Sequence, residues 1–279
     1  MFIYKSRFLT RGEVWFDDEA DDTPVDWIYY RQRPTPVANT KWKYFYTLLI
    51  DLAKSPDQLM GEMDEKTVQK IKDAEEKDQT SWKRCDARES KILDDVERMW
   101  NQFAAAQKSP PLDRAWLDKI IEAGALELSA ATDPAGEVLT YHLSYAGKKW
   151  ARDLIVVSRY SSIPNTALRN RINRANCLGH WKTLLTLQAR GLRYFDFGGW
   201  HLETKDLRLL GMNAFKKGFG GQVVREFECE EIRTVKGWLV LTTARILNRA
   251  RSVRTGRSLK SQNTAHATTP QDRHVSPAI

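Results

Sequence analysis

The chain is poor in the residues that build metal centres and disulfide frameworks. Its three cysteines, Cys85, Cys177 and Cys229, are scattered over 279 residues with no C-x-x-C pair. No histidines, cysteines or acids stand together at ligand spacing, so neither a metal site nor a stapled fold is expected. An odd number of isolated thiols fits a reducing compartment, and a cytoplasmic location is the expectation. No stretch approaches the roughly 18 uninterrupted apolar residues of a membrane span. The N-terminal Met1-Phe2-Ile3-Tyr4-Lys5-Ser6-Arg7 also lacks the apolar centre of a signal peptide.

Acidic residues are missing from one end. The whole chain carries a net charge of +8, but residues 245–279 hold Arg245, Arg249, Arg251, Arg254, Arg257, Lys260 and Arg273 against Asp272 alone, which leaves +2 for everything before them. The basicity belongs to an appendage, which argues against a dedicated nucleic-acid groove on the folded part. Residues 251–279, rich in Ser, Thr, Arg, Gln and Pro, read as a disordered basic tail suited to touching an anionic membrane surface. The opposite cluster, Asp17, Asp18, Glu19, Asp21, Asp22 and Asp26, reads as a solvated loop.

What is present is a core. With 42% hydrophobic residues the chain can bury one large domain, expected over residues 1–250. Strands are expected at 26–32 and 43–53 from their aromatic and β-branched content. Ser55-Pro56-Asp57-Gln58 is a capping box with proline at the first helical position, and Met60, Met63, Thr67, Ile71 and Ala74 continue from it as one helical stripe. Ile92, Val96, Met99, Phe103 and Ala106 mark a second helix, and a short third runs from Asp113 to a stop at Gly124.

Then the period switches to two. Residues 125–131, 137–145 and 150–157 form an antiparallel meander joined by Asp133-Pro134-Ala135-Gly136 and Ala146-Gly147-Lys148. A loop over 158–170, a helix to about Ala189, a strand ending at Gly199, a helix through Lys216 and a strand over 222–228 complete the order. The expected fold class is therefore α/β, a mixed sheet with helices on both faces.

The most informative segment joins Gly191-Leu192-Arg193-Tyr194-Phe195-Asp196-Phe197-Gly198-Gly199 to Asn213-Ala214-Phe215-Lys216-Lys217-Gly218-Phe219-Gly220-Gly221. A strand that ends on an aspartate and two glycines turns sharply or lets a ligand approach closely. The pair, a D-x-G-G strand end followed one helix later by F-K-x-x-F-G-G, resembles the Fem family of aminoacyl transferases and their acyltransferase relatives, which are built on GNAT-type folds. The resemblance covers roughly residues 165–230. Longer family members hold two GNAT-like units, and this chain has room for one.

The resemblance implies amide formation on an amine-bearing cell-envelope precursor, such as a sugar nucleotide or a peptidoglycan intermediate. An activated donor, aminoacyl-tRNA or acyl-CoA, would serve as co-substrate with no tightly bound cofactor. It matches Lys216 to a lysine associated with charge stabilisation during acyl transfer, and it favours Asn176 and His180 as lining the donor cleft. From the residues themselves, Asp196 either caps the glycine turn or accepts a proton from the attacking amine.

Tyr194 shares its face of the strand, while Phe195 and Phe197 point to the core. Asn173, Asn176 and His180 fall on one face of the helix from Ile172, as binding groups or as a solvent face. Gly198 and Gly199 are expected to floor the crevice, with Trp200 on its rim. The loop that in GNAT folds cradles a pyrophosphate contains no glycine between Ser161 and Arg174. Arg169, Arg171 and Arg174 are left either to hold a phosphate or to form a solvated helix start. Two other readings stay open: an acyl-CoA-dependent N-acetyltransferase acting on a polysaccharide sugar, and a GNAT-like binding module without catalysis.

Overall fold

The computed structural model describes residues 1–6, 8–107, 109–159 and 165–254. One ten-stranded mixed sheet runs through them in the order β1-β2-β3-β10-β4-β9-β8-β7-β6-β5. The strands are β1 Phe2–Ser6, β2 Leu9–Trp15, β3 Trp27–Arg33, β4 Lys41–Asp51, β5 Ser81–Arg84, β6 Leu126–Thr132, β7 Val138–Ala146, β8 Trp150–Ser158, β9 Tyr194–Gly199 and β10 Gln222–Ile232. All pairs are antiparallel except β2 with β3 and β8 with β9. Among the described residues seven helices cover the sheet or its edges: α1 Pro56–Gly61, α2 Glu65–Glu76, α3 Ser90–Ala106, α4 Arg114–Glu122, α5 Thr166–Ala189, α6 Leu207–Lys217 and α7 Val235–Arg254.

Period-two alternation divides the core. On one face Leu48, Ile50, Phe195 and Phe197 meet Leu59 and Ile71 of α1 and α2 and Leu178, Trp181 and Leu184 of α5. On the other, Leu128, Tyr141, Leu143, Ile155 and Val157 meet Leu93, Val96 and Met99 of α3 and Leu117 of α4. Phe195 and Phe197 thus lie in the core as alternation requires, which fixes Asp196 to the opposite face.

The structure departs from the sequence reading at four places. The stripe from Met60 to Ala74 is two helices, because Asp64 accepts from Thr67 N at 2.6 Å and starts a new helix as its cap. The inner side of α3 is Leu93, Val96, Met99 and Ala104, leaving Phe103 and Ala106 exposed. Asp26 is buried rather than solvated, accepting from Thr10 N, Thr234 Oγ1 and Lys236 Nζ at 2.7–3.1 Å. Finally, α7 continues through residue 254, beyond the expected boundary at 250; residues 255–279 lie outside the described ones.

Gly179 shows why one α5 position must stay bare. A Cβ added there would fall on the imidazole of His142, a fully buried side chain boxed in by the edge-on ring of His180 at 4.5 Å and by Thr140 Oγ1 at 3.2 Å. Glycine to alanine inside a helix ordinarily gains about 1 kcal/mol. Here the sign is expected to reverse: Gly179→Ala should lose about 1–3 kcal/mol, as overpacked cores do. Chemical denaturation with an unchanged m-value would show it.

Candidate active site

The two halves of the sheet part company at one point. β8 pairs with β9 only through Trp150↔Tyr194, Ala151↔Phe195 and Arg152↔Asp196. Beyond it β8 stays with β7 as far as Thr140↔Ser158, and β9 stays with β4 as far as Thr47↔Gly199. Two parallel strands that diverge leave a wedge whose walls carry unpaired backbone groups, a place where a ligand can enter between strands. Gly198 sits in it with φ +73° and Gly221 turns into β10 with φ +74°; a Cβ at Gly221 would meet Leu49 O at 2.5 Å.

Lys216, at the end of α6, reaches this wedge. Its Nζ donates to Gly198 O at 3.2 Å and Gly199 O at 2.6 Å, so two of its three N–H groups fasten the end of β9 and one remains. Burial lowers its pKa, opposed by the carboxylates of Asp153 and Asp196. α6 is held in place by a two-way clamp, His201 N to Asn213 Oδ1 at 3.1 Å and Asn213 Nδ2 to His201 O at 2.8 Å. Trp200 packs its side chain on the core, and its backbone N–H donates to Tyr46 O at 2.6 Å.

Asp153, the first β8 residue past the last β8–β9 pair, has an Oδ1 that is buried with no hydrogen-bond partner. Burial pushes its carboxyl up to about 7, against the nearby charges of Lys216 and Arg152. A carboxyl poised at neutrality with a free lone pair in a cleft is suited to taking up a proton.

Asp196 is fully buried on the opposite side of β9 from Phe197. Its carboxylate accepts from Thr47 Oγ1 and Gly198 N, both at 2.5 Å, and from Gln32 Nε2. Gln32, with φ +52°, bridges it to Glu226 at 3.1 Å and accepts from Arg152 Nη1. Burial raises the pKa values of both Asp196 and Glu226, and the charge of Asp196 adds to the difficulty of ionising Glu226. The guanidinium of Arg152 lies 5.4 Å from the Trp15 ring centre and 5.1 Å from that of Phe45.

The structure brings Lys216, Gly198, Gly199 and Asp196 to the wedge and its rear wall. It does not bring His180 to the same side: that ring is buried among Phe197, Phe215, Phe219 and His142, and burial holds it neutral. Tyr194 lies at the far end of β9, against Trp150 at 4.4 Å. Asn173 and Asn176 line a cleft of about 260 Å³ together with Phe103, Val156, Val157, Ser158, Ile172 and Phe215; Asn176 Oδ1 is buried without a partner.

Arg174 is engaged by Asp78 through Nε at 2.6 Å and Nη2 at 2.8 Å. Arg171 donates to Asp78 O at 3.0 Å, and Arg169 to Thr166 Oγ1 at 3.4 Å. Of the glycine-free loop, residues 160–164 lie outside the described ones. Asp153, Arg152, Gln32, Thr47 and Glu226 escaped the sequence reading. The one available signal was Arg152-Asp153, a charged pair inside the otherwise apolar strand from Trp150 to Val157. No group of three or more His, Cys, Asp or Glu among the described residues is arranged to hold a metal ion.

A meander whose last strand splays from a parallel neighbour, with a long helix crossing between them, defines a GNAT-like fold. Solved structures share it at low identity. FemX is 15% identical with a TM-score of 0.54, covering 67% of this chain and 61% of its own, so the chain spans less than two thirds of that protein. The C-terminal DUF2156 domain of a protein from Agrobacterium fabrum, provisionally assigned as a lysylphosphatidylglycerol synthetase, is 13% identical at TM-score 0.52 over 86% of this chain and 85% of its own. L-PGS from Bacillus licheniformis is 8% identical at TM-score 0.50 over 87% and 88%. No protein-family model and no curated protein sequence matches the chain.

Proposed function

We propose that the chain transfers an activated acyl or aminoacyl group to the amine of a cell-envelope precursor. The observation that carries this reading is the wedge itself, which holds a partly buried ammonium and a carboxyl with a free buried oxygen at the point where two parallel strands separate. The donor's carbonyl enters the wedge from the cleft lined by Asn173 and Asn176. The acceptor amine attacks the carbonyl carbon, and the third N–H of Lys216 stabilises the oxyanion that forms. Asp153 receives the proton released by the nitrogen and returns it to the leaving oxygen or sulfur as the tetrahedral intermediate collapses, so that the donor departs as a neutral alcohol or thiol. No covalent enzyme intermediate is required, because the donor arrives activated and the protein supplies orientation and charge.

The likeness to FemX and to the L-PGS structures supports aminoacyl-tRNA as the donor. So does the engagement of Arg171 and Arg174 with Asp78, since coenzyme A would call on those side chains for its phosphates. Asp196, Gln32, Thr47, Arg152 and Glu226 form the rear wall, which fixes the strand end. The acceptor of this reading is a sugar nucleotide or peptidoglycan intermediate bearing an amine. Incubation with charged tRNA and, separately, with acyl-CoA in the presence of such acceptors, followed by mass spectrometry of the product, tests both choices; consumption of neither donor would refute the transfer reading.

Asp153→Asn separates chemistry from stability. The transfer rate is expected to fall by about 10²–10⁴, with loss of the acid limb of the pH–rate profile near neutrality. Stability is expected to move the other way. A carboxyl raised to about 7 in the fold is preferred protonated there, so native stability declines as pH rises from the ordinary carboxylate range through neutrality. Asparagine carries no such penalty, so the variant should melt higher than the parent at about pH 8 and close to it at about pH 4. Equal pH–rate profiles would remove Asp153 from the mechanism.

A further inference from the structure

α7 exposes an apolar stripe that nothing among the described residues covers. Val235, Trp238, Leu239 and Ile246 recur at helical spacing on one side and are 76%, 55%, 54% and 62% exposed, whereas Gly237 on the other side is buried beside Asp26. That inner side is fixed by Thr234 Oγ1 to Asp26 Oδ1 at 2.7 Å, Lys236 Nζ to Asp26 Oδ2 at 3.1 Å and the Arg245–Glu230 ion pair. The helix is therefore seated on the sheet with its apolar side turned to water. Four large apolar side chains in one exposed line are uncommon unless something else covers them.

Charge decides what that is. From Val235 to Arg254 the sequence contains Lys236, Arg245, Arg249, Arg251 and Arg254 and no acidic residue; Lys236 and Arg245, on the two flanks of the stripe, are paired with Asp26 and Glu230, and no acid of the helix offsets the other three arginines. A helix with an apolar line, basic flanks and a tryptophan suits the plane of a bilayer, where apolar side chains enter the acyl boundary and cations meet anionic headgroups. Pairing two copies of this helix about a two-fold axis would set basic flanks against each other.

We infer that α7 is an in-plane docking helix, resting on the surface of an anionic phospholipid bilayer through Val235, Trp238, Leu239 and Ile246. This docking is independent of the transfer reaction and would hold whichever donor is used. It delivers the enzyme to a membrane that no helix of the described residues is long and apolar enough to cross.

Flotation of the full chain with phosphatidylcholine vesicles, with and without phosphatidylglycerol, tests it. The protein is expected to float with the anionic vesicles, to remain behind with phosphatidylcholine alone, and to be released as salt is raised. Combined Trp238→Ser, Leu239→Ser and Ile246→Ser is expected to weaken partitioning about 10-fold or more, while Val223→Ser, an exposed apolar residue of β10, leaves it unchanged. Equal flotation with both lipids, no flotation, or undiminished flotation of the triple variant would each overturn the inference. So would a stable dimer in sedimentation that the triple variant dissociates. The lipid comparison on the unaltered chain stands even where the variant folds poorly, and transfer to a soluble amine, measured beside it, reports on the catalytic reading separately.

Discussion

Lys216→Met is expected to lower the transfer rate by about 10²-fold or more, with the melting temperature changed by only a few degrees. The side chain keeps its unbranched length and loses its cation, which is the part that answers the oxyanion; removing one such donor costs about 10²–10³ in rate. The structural loss is limited, because Gly198 O keeps Thr47 Oγ1 at 2.9 Å as a possible donor and Gly199, only half-buried, leaves its carbonyl within reach of water. Part of the ammonium's burial cost also disappears with it, as the lowered pKa implies. Comparison of kcat and melting temperature for the two proteins decides the matter. An unchanged kcat would exclude Lys216 from the chemistry, and a collapse in melting temperature would make it a strand-end clamp instead.

Asp196→Ala is expected to act on the fold, by about 3–5 kcal/mol. That is the scale for removing one partner of a buried charged network. Thr47 Oγ1, Gly198 N and Gln32 Nε2 all donate to this carboxylate, and the charge of Arg152 is balanced by it; alanine would strand Gly198 N and the Arg152 charge where water does not reach, leaving Thr47 and Gln32 only Gly198 O and Glu226 as acceptors. Asp196→Asn should recover most of the stability, since its carbonyl oxygen can still accept from Thr47 and Gly198 N. Its NH₂ then faces that of Gln32, which Arg152 and Glu226 hold in its present orientation, so part of the loss remains. Urea unfolding of the three proteins at neutral pH measures both effects. If alanine proves as stable as the parent, the cluster is not a structural unit and Asp196 is free for a role in proton transfer alone.

These two variants separate what the wedge does from what holds it open. Lys216 and Asp153 face the gap with unspent hydrogen-bonding capacity, which is a property of reacting groups. Asp196 has spent nearly all of its own on β3, β4 and β9, which is a property of a keystone. His180 and His142 are buried as well, on the other face: burial pushes His142 down to about 3, so the pair supports α5 as neutral rings.

Much of this was legible from local chemistry. The capping box at Ser55, the cap at Asp113 with the stop at Gly124, the three meander strands and the strand ending on Gly198-Gly199 each rest on contacts within a few residues, and short-range rules suffice there. The alternation of Phe195, Asp196 and Phe197 likewise assigned faces without knowledge of the partners. What escaped was decided by distant chain. β1, β2 and β5 are short or charged strands that exist because neighbours pair with them, and α7, to which the sequence reading assigned no helix, is held where its inner side meets Asp26.

The candidate site divides in the same way. By itself the sequence determined that a lysine beside an aromatic anchor follows a D-x-G-G strand end, because those residues are neighbours in the chain. Only the tertiary structure decided that Asp153, from another strand, stands beside that lysine and that Gln32, Thr47 and Glu226 close around Asp196. It also turned His180 to the other side of the sheet. Side chains that meet across five strands are separated by as many as 194 residues, and no local periodicity encodes such a meeting; it follows from strand order and from where β8 and β9 diverge.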